Sequence, residues 1–386
     1  MTPLLAWGRF DDLRAGIAWE FPEVTSELWA DRPADVPAVL AELDRATAQG
    51  WWAFGFVSYE AAAGLDPSLV VHKPVPGLPL VWFGVCAPPT IVPVVQRSAP
   101  NSYRISDWSP EWGPELHRQR VAAIQQQIAA GHTYQCNLTT RITAEAAGDL
   151  YACYADLALG QGGAYNAYID MERFAIVSAS PELFFEVEDE LVSMRPMKGT
   201  ARRGRTAAED ARIVAQLRAS AKERAENVMI VDLIRNDLGR IARTGSVAVA
   251  SLCRAETYET VHQLTSEITA RLRPGIGLTD IFRALFPCGS VTGAPKPRTM
   301  RLIQELESGP RGVYCGAVGM VAPLGNAFRA RFNVAIRTVL VDRVTGVATY
   351  GTGGGITWDS EPAAEYAELQ TKAEILERCR PTATCR

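Results

Sequence analysis

Long apolar runs are missing from this sequence. No stretch approaches the roughly 18 apolar residues needed to cross a bilayer as a helix, and the opening MTPLLAWGRFDDLRAG carries Asp11 and Asp12 where a secretory leader stays apolar. A cytoplasmic chain with no membrane partner is expected. Strong charge of one sign is missing too. The net charge is -4, so no broad basic face is predicted and nucleic acid is disfavoured as a partner. The eight cysteines (Cys86, Cys136, Cys153, Cys253, Cys288, Cys315, Cys379, Cys385) are dispersed, with no CxxC among them. The four histidines (His72, His117, His132, His262) are too scattered for a zinc site. Such cysteines in a cytoplasmic chain are reduced and mostly structural.

The chain does have an apolar share of 47% and a charged share of 21%, which exclude the disordered and fibrous classes. Its 386 residues are enough for one large domain or two intertwined ones. The first hundred residues mix a helical run over Val36–Gln49 with strand-like segments at Trp52–Tyr59 and Leu80–Val85. Ala87–Trp112 is rich in Pro, Ser and Asn and marks a boundary. We therefore separate an amino-terminal part, 1–105, from a core, 106–386, with which it is intertwined.

In the core, Val121, Ile124 and Ile128 recur at helical spacing within Gln119–Ala130, and Gly131 stops the run. Tyr134–Ile142 alternates like a half-buried strand. Ala164–Asp170, Phe174–Ser178, Leu183–Val187 and Leu191–Met194 read as antiparallel pieces. One long helix is predicted over Ala207–Leu238, ended by Gly239, and another over Arg298–Glu307. Strands near Val313–Val321, Arg329–Val341 and Val347–Tyr350 lead to a glycine-rich turn and a final helix over Pro362–Arg378. Strands in runs favour an α+β fold with large, mainly antiparallel sheets over a doubly wound one.

Three constellations carry chemistry. Glu361, Glu365, Glu368 and Lys372 are spaced by four, three and four, so they share one face of the final helix. On spacing alone this is either a solvated face with Glu to Lys pairs or a seat for a hard cation such as magnesium. Neither GTGGGITW nor GSVTGAPK has the spacing of a nucleotide-binding loop, but both can offer backbone N–H groups to carboxylates. Lys198 lies in PMKGTARRGR, either a solvated basic loop or a half-buried amine placed to act as a nucleophile.

These residues fall within blocks that resemble the chorismate-utilising enzymes. The blocks are SASPELF, RPMKGT, KERAENVMIVDLIRNDLGR, VHQLTSEI, FPCGSVTGAPK, RGVYCGAVG and GTGGGITWDSEPAAEYAE. They fill nearly the whole chain from about residue 115 in the family order. The resemblance implies two large sheets packed together with helices outside and a site in the cleft between them. It implies that Glu226, Glu365 and Glu368 are magnesium ligands and Glu182 the general acid. His262, Ser290, Tyr314, Arg337, Gly353 and Lys372 would line the substrate site, with Thr200 in the loop beside it.

Family members differ in their nucleophile. Those that add water carry a basic lysine where this chain has Gln135, which argues against water. Anthranilate synthases carry alanine where this chain has Lys198, the residue typical of aminodeoxychorismate synthases. The resemblance therefore implies that Lys198 attacks ring carbon 2 of chorismate and that ammonia follows at carbon 4. The product would be 4-amino-4-deoxychorismate for para-aminobenzoate and folate synthesis. No glutamine-hydrolysing segment is visible, so ammonia from a separate glutamine amidotransferase is expected; an anthranilate synthase component is the alternative.

Overall fold

A computed structural model of the chain describes residues 6–258, 261–326 and 328–379. Two antiparallel sheets dominate it, one 11-stranded and one 10-stranded. In the first, Gln135–Gly148, Val347–Ile356, Thr338–Asp342, Phe174–Ser180, Tyr165–Met171 and Trp7–Asp12 lie side by side. In the second, Met197–Arg202, Val261–Arg271, Leu191–Arg195, Leu183–Glu188, Phe328–Val334, Ala317–Val321 and Trp52–Val57 do so. The architecture is α+β, with helices on the outside.

Strand parity builds the layers. Phe54 and Phe56 point inward with Phe10, Phe21, Trp82, Ile176 and Met320 to fill the space between the sheets. Their neighbours Ala53 and Val57 face the other way, into a cluster with Leu40, Leu43, Ile230, Ile234 and Phe282 from the covering helices. The helix Leu150–Gln161 covers the outer face of the first sheet through Tyr154 and Leu157. Each large side chain buried this way contributes roughly 1.5–3 kcal/mol.

Two of the segments that cross from one sheet to the other set up the site. The chain leaves the first sheet at Ser180 and enters the second at Leu183, so Pro181 and Glu182 bridge the sheets. It leaves the second at Val334 and re-enters the first at Thr338, with Arg337 on that bridge. Backbone bonds from Val334 N to Glu182 O (3.0 Å) and from Ala179 N to Arg337 O (3.1 Å) hold the two crossings together.

Several expectations are corrected: Lys198 and Thr200 lie on the strand Met197–Arg202 rather than in a loop, and Arg329–Val341 is two strands, Phe328–Val334 and Thr338–Asp342, in different sheets. The long helix is two, Ala207–Ala219 and Ala221–Gly239, because Ser220 leaves helical geometry and its hydroxyl accepts from Glu223 N as an N-cap. The final α-helix spans Pro362–Ala373 and tightens into a 3₁₀ turn over Glu374–Cys379. The glycine-rich segment is not a turn. It is the second half of the strand Val347–Ile356, paired with Gln135–Gly148 so that Gly351 faces Arg141 and Gly355 faces Asn137. The cysteines Cys86, Cys136, Cys153, Cys253, Cys288 and Cys315 are buried and free; Cys385 lies outside the described residues. Among the described residues no helix is long and apolar enough to cross a membrane.

Candidate active site

A cleft, partly open to solvent, lies where the two crossings meet the sheets. Glu182, Lys198, Thr200, Ser290, Tyr314 and Arg337 line it, as do Gly353, Glu226, Glu365, Glu368 and Lys372. His262 does not join them. On the strand Val261–Arg271, Gln263 faces the cleft, so parity turns His262 to the opposite face. There its Nε2 lies 2.8 Å from Asp210 Oδ1 and its Nδ1 3.0 Å from Thr257 Oγ1.

The glycines of the strand Val347–Ile356 make room for what converges on it. A Cβ on Gly351 would run into the Tyr314 ring, and one on Gly353 would sit 2.6 Å from Leu138 O. A Cβ on Gly355 would collide with the Gln135 amide and lie 2.9 Å from Lys198 Nζ. The Lys198 amine therefore lies against bare backbone. The final helix is tied to the same strand: Thr352 Oγ1 donates to Leu369 O (3.1 Å) and Tyr350 OH to Lys372 O (2.8 Å).

One side of the cleft holds an acid and two cations. Glu182 is 3% exposed, and its Oε1 has no hydrogen-bond partner among the described residues. Burial pushes its carboxyl up to about 7, against the opposing pull of the Ser290 hydroxyl and the Lys198 ammonium. Arg337 adopts φ of 50°, a region that costs a residue bearing a Cβ. Its guanidinium donates to Gln161, and no carboxylate among the described residues pairs with it. Desolvation lowers its pKa. A desolvated, unpaired guanidinium on a cleft wall is suited to a carboxylate ligand.

The other side is acidic. Glu223 and Glu226 from the helix Ala221–Gly239 face Glu365 and Glu368 from the final helix across the cleft. Burial raises the Glu226 carboxyl, and nearby Glu223 and Glu365 add to the rise. Burial also raises Glu223, with Glu368 adding to it. Lys372 holds Glu368 below its ordinary value, 2.8 Å from its Oε1, while donating to Gly353 O (2.7 Å). Burial works to lower the pKa of Lys222, yet the four carboxylates together keep it raised. Oxygen donors alone, in excess negative charge, fit a hard divalent cation in type and number. As they stand, no three acidic, histidine or cysteine side chains among the described residues converge into a cage, and lysine ammoniums lie against Glu365 and Glu368.

Sequence reasoning missed Glu223, Lys222, Asn137 and Gln263, all on the cleft wall. Glu223 was findable: Glu223 and Glu226 repeat the i,i+3 spacing of Glu365 and Glu368. Asn137 and Gln263 carry no such signal, since only the sheet geometry brings them there.

A family model described as chorismate binding enzyme matches residues 9–378. An aminodeoxychorismate synthase of Streptomyces griseus is 38% identical over 347 residues, which cover 90% of this chain and 44% of that protein. Aminodeoxychorismate synthase component 1 of Escherichia coli (strain K12) is 39% identical over 267 residues, 69% of this chain and 58% of that one. The chain thus spans about half the length of the curated relatives it matches. The crystal structure of anthranilate synthase component I from Streptococcus pneumoniae superposes with a TM-score of 0.77 at 26% identity, covering 98% of this chain and 91% of that one.

Proposed function

Because the chain belongs to the family of chorismate binding enzymes, we propose that it converts chorismate and ammonia to 4-amino-4-deoxychorismate, the aminodeoxychorismate synthase reaction. What carries this is the meeting of Lys198 and Glu182 in one cleft, an amine against bare backbone beside a buried carboxyl that stays protonated to about pH 7. The names of the relatives from Streptomyces griseus and Escherichia coli support it.

Lys198 Nζ bonds to ring carbon 2, both conjugated ring double bonds shift towards carbon 4, and the carbon 4–oxygen bond breaks as Glu182 gives its proton, so water leaves. Ammonia then bonds to carbon 4 and returns a proton to Glu182, both double bonds shift back, and the bond between carbon 2 and the lysine breaks, its electron pair leaving with Lys198 Nζ. Arg337 receives one substrate carboxylate. Ser290, Thr200, Tyr314 and the Gly353 backbone complete the walls. Glu226, Glu365 and Glu368, joined by Glu223, would hold magnesium, which when bound supplies positive charge for the second carboxylate. Ammonia comes from a separate glutamine amidotransferase, all in the cytoplasm. His262, spent on Asp210, is given no substrate contact.

A second reading, amination at carbon 2 as in an anthranilate synthase, is favoured by the near-complete superposition on that enzyme's component I. Mixing the pure protein with chorismate, magnesium and ammonium, and identifying the product by chromatography and mass, separates the two. The 4-amino isomer is expected; anthranilate would overturn the proposal.

Two expectations follow from these assignments. Ammonium should support turnover by the 386-residue chain alone, whereas glutamine should do so only with an amidotransferase added. Efficient glutamine-dependent turnover by the isolated chain contradicts this. Glu368→Gln should lower activity and shift its magnesium dependence to higher concentration, because an anionic oxygen is lost from a hard cation. Glu361→Gln, on an exposed residue at the N-cap position of the helix, should be milder. Full wild-type activity in excess chelator would refute the metal assignment.

A further inference from the structure

Lys222 stands where helix electrostatics disfavour a cation. It is the second residue of the helix Ala221–Gly239, at the positive end of the macrodipole, where acidic residues such as its neighbour Glu223 belong. Its side chain nevertheless turns to the cleft wall rather than away from it, with Nζ 3.7 Å from Glu365 Oε1. That is an ion pair but too long for a hydrogen bond. Lys372, the other ammonium on this wall, is fixed by Gly353 O and Glu368 at bonding distance. Lys222 has no hydrogen-bonded anchor among the described residues, and its side chain is 46% exposed. Lys198 also acts on Glu223, Glu226 and Glu368, but from the opposite wall, against Gly355, so of the cations on this wall Lys222 is the one free to leave.

Four carboxylates on facing helices repel one another, and in the absence of a divalent ion the folded cleft needs a neutralising charge there. We propose that Lys222 is a resident counter-cation, which holds the place of the divalent ion among Glu223, Glu226, Glu365 and Glu368 and swings to solvent when that ion binds. This rests on the magnesium reading above. A flexible four-carbon stem at a helix N-terminus can release its ammonium to water without moving the backbone. The exchange weakens metal binding and stabilises the empty cleft, so the two effects have opposite signs in one variant.

The test is direct metal binding by the pure full chain, without chorismate. Manganese(II) is titrated and followed by electron paramagnetic resonance, magnesium by competition against it, and thermal unfolding is recorded with and without the ion. Lys222→Gln is expected to bind manganese about tenfold more tightly, because one competing unit charge is gone from a site of intermediate dielectric. It should also melt lower than wild type without metal and gain more from adding it. Lys222→Arg, which keeps the charge, should bind like wild type. Unchanged or weaker binding by Lys222→Gln overturns the proposal, even if its melting point falls. If neither wild type nor Lys222→Gln binds manganese or magnesium at millimolar concentration, the magnesium reading itself fails and takes this inference with it.

Discussion

Lys198→Ala is expected to lose the 4-amino product and to release, slowly, 2-amino-2-deoxyisochorismate instead. An ordinary lysine is neutral in only about one molecule in 2,500 at pH 7, a cost of roughly 4.6 kcal/mol for any free amine asked to act as nucleophile. In the cleft Lys198 Nζ lies against Gly355 and within the electrostatic reach of Glu182 and Glu226. Removing the amine leaves a space at ring carbon 2 while the acidic wall and Glu182 remain. Ammonia then attacks carbon 2 directly, and the double-bond shift stops there. The rate should fall on the order of 10³-fold, within the range for loss of a catalytic group. Nuclear magnetic resonance of the product distinguishes the isomers. An alanine variant still making the 4-amino isomer at the parental rate would show that Lys198 is not the nucleophile.

Glu182→Gln should reduce kcat on the order of 10² to 10⁴-fold, because the departing oxygen loses its proton donor while the shape of the site is kept. The pH dependence carries the sign. Burial raises this carboxyl from 4.5 to about 7, so the acid form is present below about pH 7 and is lost as pH rises through it. Wild-type kcat should fall on that side, and the residual activity of Glu182→Gln should lack that limb. Stability moves the same way. A folded pKa above the unfolded one gives a contribution fully present below about 4.5 and lost as pH rises through about 7. Urea unfolding from pH 5 to 8 should therefore show a shallower loss of stability for Glu182→Gln than for the parent. Equal slopes and an unchanged pH limb would remove Glu182 from the acid role.

The lower-layer features of this molecule were readable from period and punctuation. Alternation at Tyr134–Ile142 and Phe174–Ser178 gave strands, and spacing put Glu361, Glu365, Glu368 and Lys372 on one helix face. The break at Ser220 was also written in the chain, as a Ser three residues before Glu223, but strong helix formers on both sides hid it. The glycine strand was misread because glycine has low strand propensity. What makes it a strand is the crowding of Tyr314, Gln135 and Lys198 onto it, which no local pattern encodes. His262 was taken from family likeness, and the alternation with Gln263 turns it away. Glu182 and Arg337 came only from the family resemblance, because no period or spacing points to residues whose positions depend on where the chain changes sheets.

The pairing of Gly351 with Arg141 spans more than half the chain. Glu365, Glu368 and Lys372 come later still, on a helix fastened to that strand by Thr352 and Tyr350. During synthesis the Lys198 strand, Glu182 and Glu226 all emerge well before their counterparts. A nascent chain on the ribosome thus carries Glu182 and Lys198 without the opposite wall of the cleft until Glu365 follows, 167 residues after Lys198. The cleft is walled on both sides only once residues 347–373 have been made and have docked against strands that precede them in the chain.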